Sequence, residues 1–162
     1  MALTAAERSA YLDRYEAGPA LLRAAWALVP AEARQWRPGA GRWSAHEVVV
    51  HCADSETYGA TRIRLMLAEP EPLIVGYDEN VWARTFDYHA QDPERALRVV
   101  ELVRASCAAS LRRLPESAFG RTGRHTQSGV YSDADWFRIY GEHLETHAAQ
   151  IRRNLAAWAA RP

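Results

Sequence analysis

Two histidines four residues apart, in His143-Leu144-Glu145-Thr146-His147, are the side chains of this sequence best spaced to do chemistry. On a helix, positions i and i+4 share one face with Cβ atoms about 6 Å apart. That spacing lets two ring nitrogens meet one metal ion at about 2.1 Å. The zincin protease motif places Glu directly after its first His; here Leu144 follows, and Glu145 falls on the opposite face. The adjacent-Glu protease mechanism therefore does not transfer. Laid out at about 100° per residue, Trp136, Tyr140, His143, His147, Ile151, Asn154 and Trp158 form one stripe with Gln150 beside it. Its aromatic and apolar members turn the stripe inward, where two neutral imidazoles need partners for their nitrogens. A metal ion satisfies both at once. A third ligand is expected from another helix, and His51 is the candidate. The face of His51 carries Ser44, Glu47, Val48, Asp54, Ser55, Tyr58 and Arg62, a polar set that predicts a hydrated cavity.

Each of these residues also has a plain structural reading. A lone interior histidine is usually a satisfied core residue, and His pairs at i, i+4 arise by chance. Glu47 is the capping-box partner of Ser44. Asp54 is either a carboxylate that orients a ligand histidine or a surface residue. His46 and His89 are equally readable as solvated. Asp54, Tyr140 and Glu47 are the catalytic candidates, with Tyr58 and Asp78 as further candidates for a general base.

Four helices must position these groups. The first opens with Thr4 and Glu7 as a capping box and runs to about Val29, before Pro30. Gly18-Pro19 predicts a kink or break near Ala17. The second opens with the Ser44–Glu47 capping box, flanked by Trp43 and Val48 in the hydrophobic-staple positions, and runs to about Ala68. The third has Asp92 as N-cap and Pro93 at the first helical position, and ends at Leu114-Pro115. The fourth opens near Ser132 with Asp133 and Asp135 in its first turn and continues to about Trp158. Leu73-Ile74-Val75 and Gly129-Val130-Tyr131 are too short to predict a sheet. The expected fold is an all-α, up-down four-helix bundle in a single domain over residues 1–162. Two connections, 69–91 and 115–131, are long for a bundle. The first is aromatic and is expected to hold a short helix around Glu79 to Thr85 and to pack over one end of the bundle.

Composition narrows the function. With 20 basic and 20 acidic residues in 162, the formal net charge is zero and no basic stripe argues for nucleic acid. All the basic residues are Arg, read as genomic base composition. No apolar run approaches the roughly 18 residues that span a bilayer, and the opening residues lack the pattern of a signal peptide. Cys52 and Cys107 are too few for a disulfide framework and read as small buried hydrophobes in a cytoplasmic protein.

The chain resembles the DinB-like superfamily, in particular its YfiT-like metal-dependent hydrolases and bacillithiol S-transferases. Five segments carry the likeness: Gly41-Arg42-Trp43-Ser44, His51-Cys52-Ala53-Asp54-Ser55, Tyr77-Asp78-Glu79-Asn80-Val81-Trp82-Ala83, His125-Thr126-Gln127-Ser128-Gly129, and His143 to His147. They occur in order over nearly the whole chain. Thr126 departs from the pattern, since related sequences tend to have Pro after the loop histidine, so His125 is given no role. The resemblance implies a four-helix bundle, often a homodimer, that binds one divalent ion, zinc or nickel with iron as the other option, on His51, His143 and His147. Three neutral ligands leave open coordination positions, the mark of a catalytic site. The resemblance favours a small-molecule enzyme that transfers a low-molecular-weight thiol to an electrophile. The alternatives are a hydrolase using an activated water and a stress-associated metal-binding protein without catalysis.

Overall fold

The computed structural model describes residues 2–161. Four long helices form the bundle: α1 (Ala5–Ala27), α2 (Ala45–Ala68), α4 (Pro93–Leu111) and α5 (Asp133–Ala159), with the short α3 (Glu79–Thr85) in the 69–91 connection. Their starts follow from local chemistry. Thr4–Glu7, Ser44–Glu47 and Ser132–Asp135 each form a reciprocal capping box, and Asp92 caps α4 with Pro93 behind it. Among the described residues no helix is long and apolar enough to cross a membrane.

The expected break in α1 does not occur; the helix runs through Pro19 without interruption. Proline has no N–H to offer the carbonyl four residues back, which here is Tyr15. Arg104 Nη1 supplies that missing donor to the Tyr15 carbonyl at 2.6 Å. Gly18 makes the approach feasible, because a Cβ there would stand 2.6 Å from Arg104 Nη1. The Gly-Pro pair is thus a notch for a buried arginine rather than a helix stop.

Only one pair of consecutive long helices, α2 and α4, packs extensively. α1 lies chiefly against α5, and α2 against α4 and α5, while α1 and α2 barely touch and face each other across the diagonal. Long connections permit this arrangement.

A small sheet is present where the sequence predicted none. β1 (Leu73–Ile74) pairs parallel with β2 (Thr122–His125), which pairs antiparallel with β3 (Gly129–Ser132), with Ile74 opposite His125 and His125 opposite Gly129. Each strand is too short to signal itself. The pairing joins two connections far apart in sequence, which local patterning does not encode.

The core falls into two apolar clusters. One gathers Leu22, Trp26, Val48, Val49, Leu97, Val100, Leu144 and Ile151; the other Leu12, Tyr15, Ile63, Met66, Leu111, Trp136, Phe137 and Tyr140. Between them, at one level of all four long helices, lie Gly18, Glu56, Arg104 and His143. This polar layer carries the site.

Candidate metal centre

The structure brings His51 of α2 together with His143 and His147 of α5: one nitrogen from each lies within 4.8 Å of the others. The two α5 rings are fixed from behind. His143 Nδ1 is 2.7 Å from Glu56 Oε1, and His147 Nδ1 is 2.9 Å from Gln150 Oε1. Both oxygens can only accept, so in the neutral rings both Nδ1 atoms carry the proton. The two Nε2 atoms then present bare lone pairs to each other at 3.1 Å. Such a pair repels unless a cation lies between them. His51 is buried beneath Trp43, with ring centroids 4.6 Å apart, and its Nδ1 has no hydrogen-bond partner among the described residues. A buried ring with an orphaned nitrogen, set against two converging lone pairs, is a donor set that fits a divalent ion.

Burial, then the neighbouring histidines, holds His51 well below the usual imidazole range; burial first, then His143, takes His147 down to about 4. Neutral rings are the form that binds metal. With a folded value of about 4 against about 6.5 unfolded, His147 contributes stability in full above 6.5 and loses it as pH falls toward 4. Chelator-treated protein is expected to unfold at lower urea at pH 5 than at pH 7, with His147 alone worth on the order of 2 kcal/mol. Equal urea midpoints would contradict the buried neutral pair.

The carboxylate behind His143 anchors the polar layer. Glu56 is fully buried, and the same Oε1 accepts from Arg104 Nη2 at 2.6 Å. Burial alone would raise its pKa, but Arg104 and then His143 hold it below the usual carboxylate value. Arg104 also donates to the Tyr140 carbonyl at 2.8 Å, so one guanidinium ties α1, α2 and α5 to α4.

The DinB superfamily sequence model matches residues 14–151. The chain belongs to the DinB superfamily. A relative from Oceanobacillus iheyensis is 33% identical over 111 residues, 68% of this chain but only 64% of that protein, so the match spans less than two thirds of its length. One from Bacillus licheniformis is 29% identical over 157 residues, 94% of this chain and 88% of the relative. Both carry the name "Putative metal-dependent hydrolase". Among solved structures, YfiT from Bacillus subtilis, described as a probable metal-dependent hydrolase with an unusual four-helix bundle topology, superposes with a TM-score of 0.89. It is 25% identical, and the match covers 97% of this chain and 90% of that one. A mycothiol-dependent maleylpyruvate isomerase superposes at 0.68 with 14% identity over 60% of its own chain, a likeness of fold.

In this DinB chain the three catalytic candidates have separate surroundings. Glu47 lies in the α2 cap, where its carboxylate accepts from the Ser44 N–H and from two nitrogens of Arg37. Asp54 accepts from the Tyr88 hydroxyl at 2.5 Å and so tethers the 69–91 connection to α2. Glu47 also lies 3.4 Å from His89 Nε2, but the carboxylate that reaches a histidine of the triad is Glu56, which the sequence pattern did not reveal. Tyr140 is beside the triad, its ring 5.7 Å from His143 and seated where Gly59 lacks a side chain. Burial raises its pKa, so its phenol keeps its proton. Ser55 Oγ, 3.4 Å from His143 Nε2, joins it. Glu145, as expected from its face, points away and pairs with Arg14. An apolar cavity of about 390 Å³ near the C-terminal ends of α2 and α4, lined in part by Ile63, Leu67, Leu111 and Leu114, shares no residue with the triad.

Proposed function

We propose that this chain is a metal-dependent enzyme, holding one divalent ion, zinc or nickel, on His51, His143 and His147, that transfers a low-molecular-weight thiol to an electrophilic small molecule. The observation that supports the choice of thiol is the state of Glu56: among the described residues it is the carboxylate bonded to a triad histidine, and its oxygen is already taken by Arg104 and His143 rather than free to act as a base. When bound, the ion supplies Lewis acidity that acidifies a coordinated thiol or water. A thiol, with a pKa of about 8.5, needs far less help to lose its proton than water does. The reading is of a substitution in which a sulfur–carbon bond forms, the electrophile's bond to its leaving group breaks, and the thiol proton goes to solvent. Glu56 and Gln150 fix the ring tautomers, so that His143 and His147 present their Nε2 lone pairs to a common point. The Tyr140 phenol and Ser55 hydroxyl keep their protons and can donate to charge developing on the leaving group. Trp43 covers His51 and limits water on that side.

Hydrolysis is the second reading, supported by the names of the relatives. The family resemblance also supports action as a homodimer. The test is a panel of low-molecular-weight thiols with a chlorodinitrobenzene-type electrophile, run beside ester and amide panels. Metal-replete protein is expected to consume thiol at least about 100-fold faster than chelator-treated protein, since positioning and charge stabilisation each contribute factors of that order. Thiol loss equal to the metal-free control, with ester or amide turnover instead, overturns the thiol reading in favour of hydrolysis.

A further inference from the structure

We infer that Arg62 binds the carboxylate of the small molecule whose reactive end meets the histidine triad, an inference that rests on the proposed metal-dependent reading of that triad. Arg62 lies two helical turns beyond Ser55 on the same face of α2. Its guanidinium is half-buried and held in place: Nη1 donates to the Tyr140 hydroxyl at 3.3 Å, Nη2 to the Val75 carbonyl at 3.1 Å, and the group lies 4.7 Å over the Tyr58 ring. Among the described residues no carboxylate pairs with it, whereas the other interior guanidinium beside the site, Arg104, has Glu56. Two of its five N–H groups are committed, which leaves a charged, pre-oriented donor edge with no anion to meet.

The surroundings are donor-rich as well. Among the described residues the buried hydroxyl of Tyr131 and Arg62 Nε have no hydrogen-bond partner, and the Tyr77 hydroxyl has Ser55 as its neighbour. The Arg62 charge is felt at Tyr77, Tyr131, Tyr140 and His125. His125 Nδ1 accepts the backbone N–H groups of Gln127 and Ser128, both at 3.2 Å, so the neutral ring carries its proton on Nε2 and adds a further donor. The nearby acids do not cancel this. Glu56 is spent on Arg104, Asp135 caps α5 through Ser132, and Glu79 is exposed with no ion pair to Arg62. A cluster of donors with an unpaired guanidinium, beside a site proposed to hold a dication, selects an anion, and the planar fork of arginine matches a carboxylate. Tyr140 links the two places, since its hydroxyl meets Arg62 while its ring lies 5.7 Å from His143. A molecule anchored by its carboxylate at Arg62 therefore has its other end at the triad.

The probe pair is benzoate and benzamide, alike in shape and different in charge, titrated into both chelator-treated and metal-replete protein. Benzoate is expected to bind both forms, at least about 10-fold more tightly than benzamide. Arg62→Gln is expected to weaken benzoate about 10-fold and leave benzamide unchanged. Arg62→Lys, which keeps the charge but loses the fork, is expected to fall between, and it carries the test if Arg62→Gln does not fold. Benzoate binding that is unchanged in Arg62→Gln and Arg62→Lys, that equals benzamide binding, or that appears only with metal present overturns the inference. Because the chelator-treated arm needs no metal, failure of the metal reading leaves a benzoate signal at Arg62 readable by itself.

Discussion

Arg104→Met is expected to lower the unfolding free energy by about 3–5 kcal/mol, the cost of leaving a buried carboxylate without its counter-charge. Both partners are out of water: the side chains of Arg104 and Glu56 are 1% and 0% exposed. The pair itself is not a strong source of stability, because desolvating two charges offsets most of their attraction. Removing one partner is what costs. Arg104→Met also strips the Tyr15 carbonyl of the donor that replaces the missing Pro19 N–H, and it opens a gap beside Gly18. The double variant Arg104→Met/Glu56→Gln is expected to recover more than half of the loss, since it removes the stranded charge while the new side-chain amide keeps an oxygen for His143 Nδ1. Urea unfolding of the wild type and the two variants measures this. A single variant within about 1 kcal/mol of wild type would mean that the polar layer is not what holds the four helices in register.

How much of this was legible in the sequence depends on how local each signal is. The four long helices were readable because their caps lie within three residues of one another, as in Thr4–Glu7 and Ser44–Glu47. The short α3 was readable for the same reason, with Asp78 accepting from Asn80 and Val81. The sheet was not, because Ile74 and His125 pair across a separation that includes two helices, and short strands paired over such a distance leave no local pattern. Nor was continuity at Pro19, since its cure is a side chain from α4. Within the site, the His143–His147 spacing and the inward stripe were local facts, while Glu56 was hidden one step off the His51 face. A signal for it did exist. Arg104 stands in a row with Leu97, Val100, Ala108 and Leu111 on α4, all of them buried, and a lone charge in an apolar stripe calls for a buried acid opposite. The diagonal placement of α1 and α2 left no trace in any single segment.

The triad carries the account. Removing His147 is expected to abolish tight metal binding, by roughly 100-fold or more in affinity, given that losing even an outer carboxylate partner typically costs 10–100-fold. Glu56→Gln, which weakens the acceptor behind His143, is expected to fall in that lower range. The His147 effect is separable from folding, because His147→Ala removes one of two facing lone pairs and leaves Glu56 paired with Arg104. The decisive measurement is an equilibrium titration of chelator-treated protein with zinc and with nickel, alongside the metal content of the protein as purified. One ion per chain in the wild type, lost in His147→Ala while the far-UV circular dichroism of the variant stays that of a folded helical protein, is the predicted result. A wild type that takes up neither ion at micromolar concentration, or a His147→Ala variant that binds as the wild type does, would contradict it.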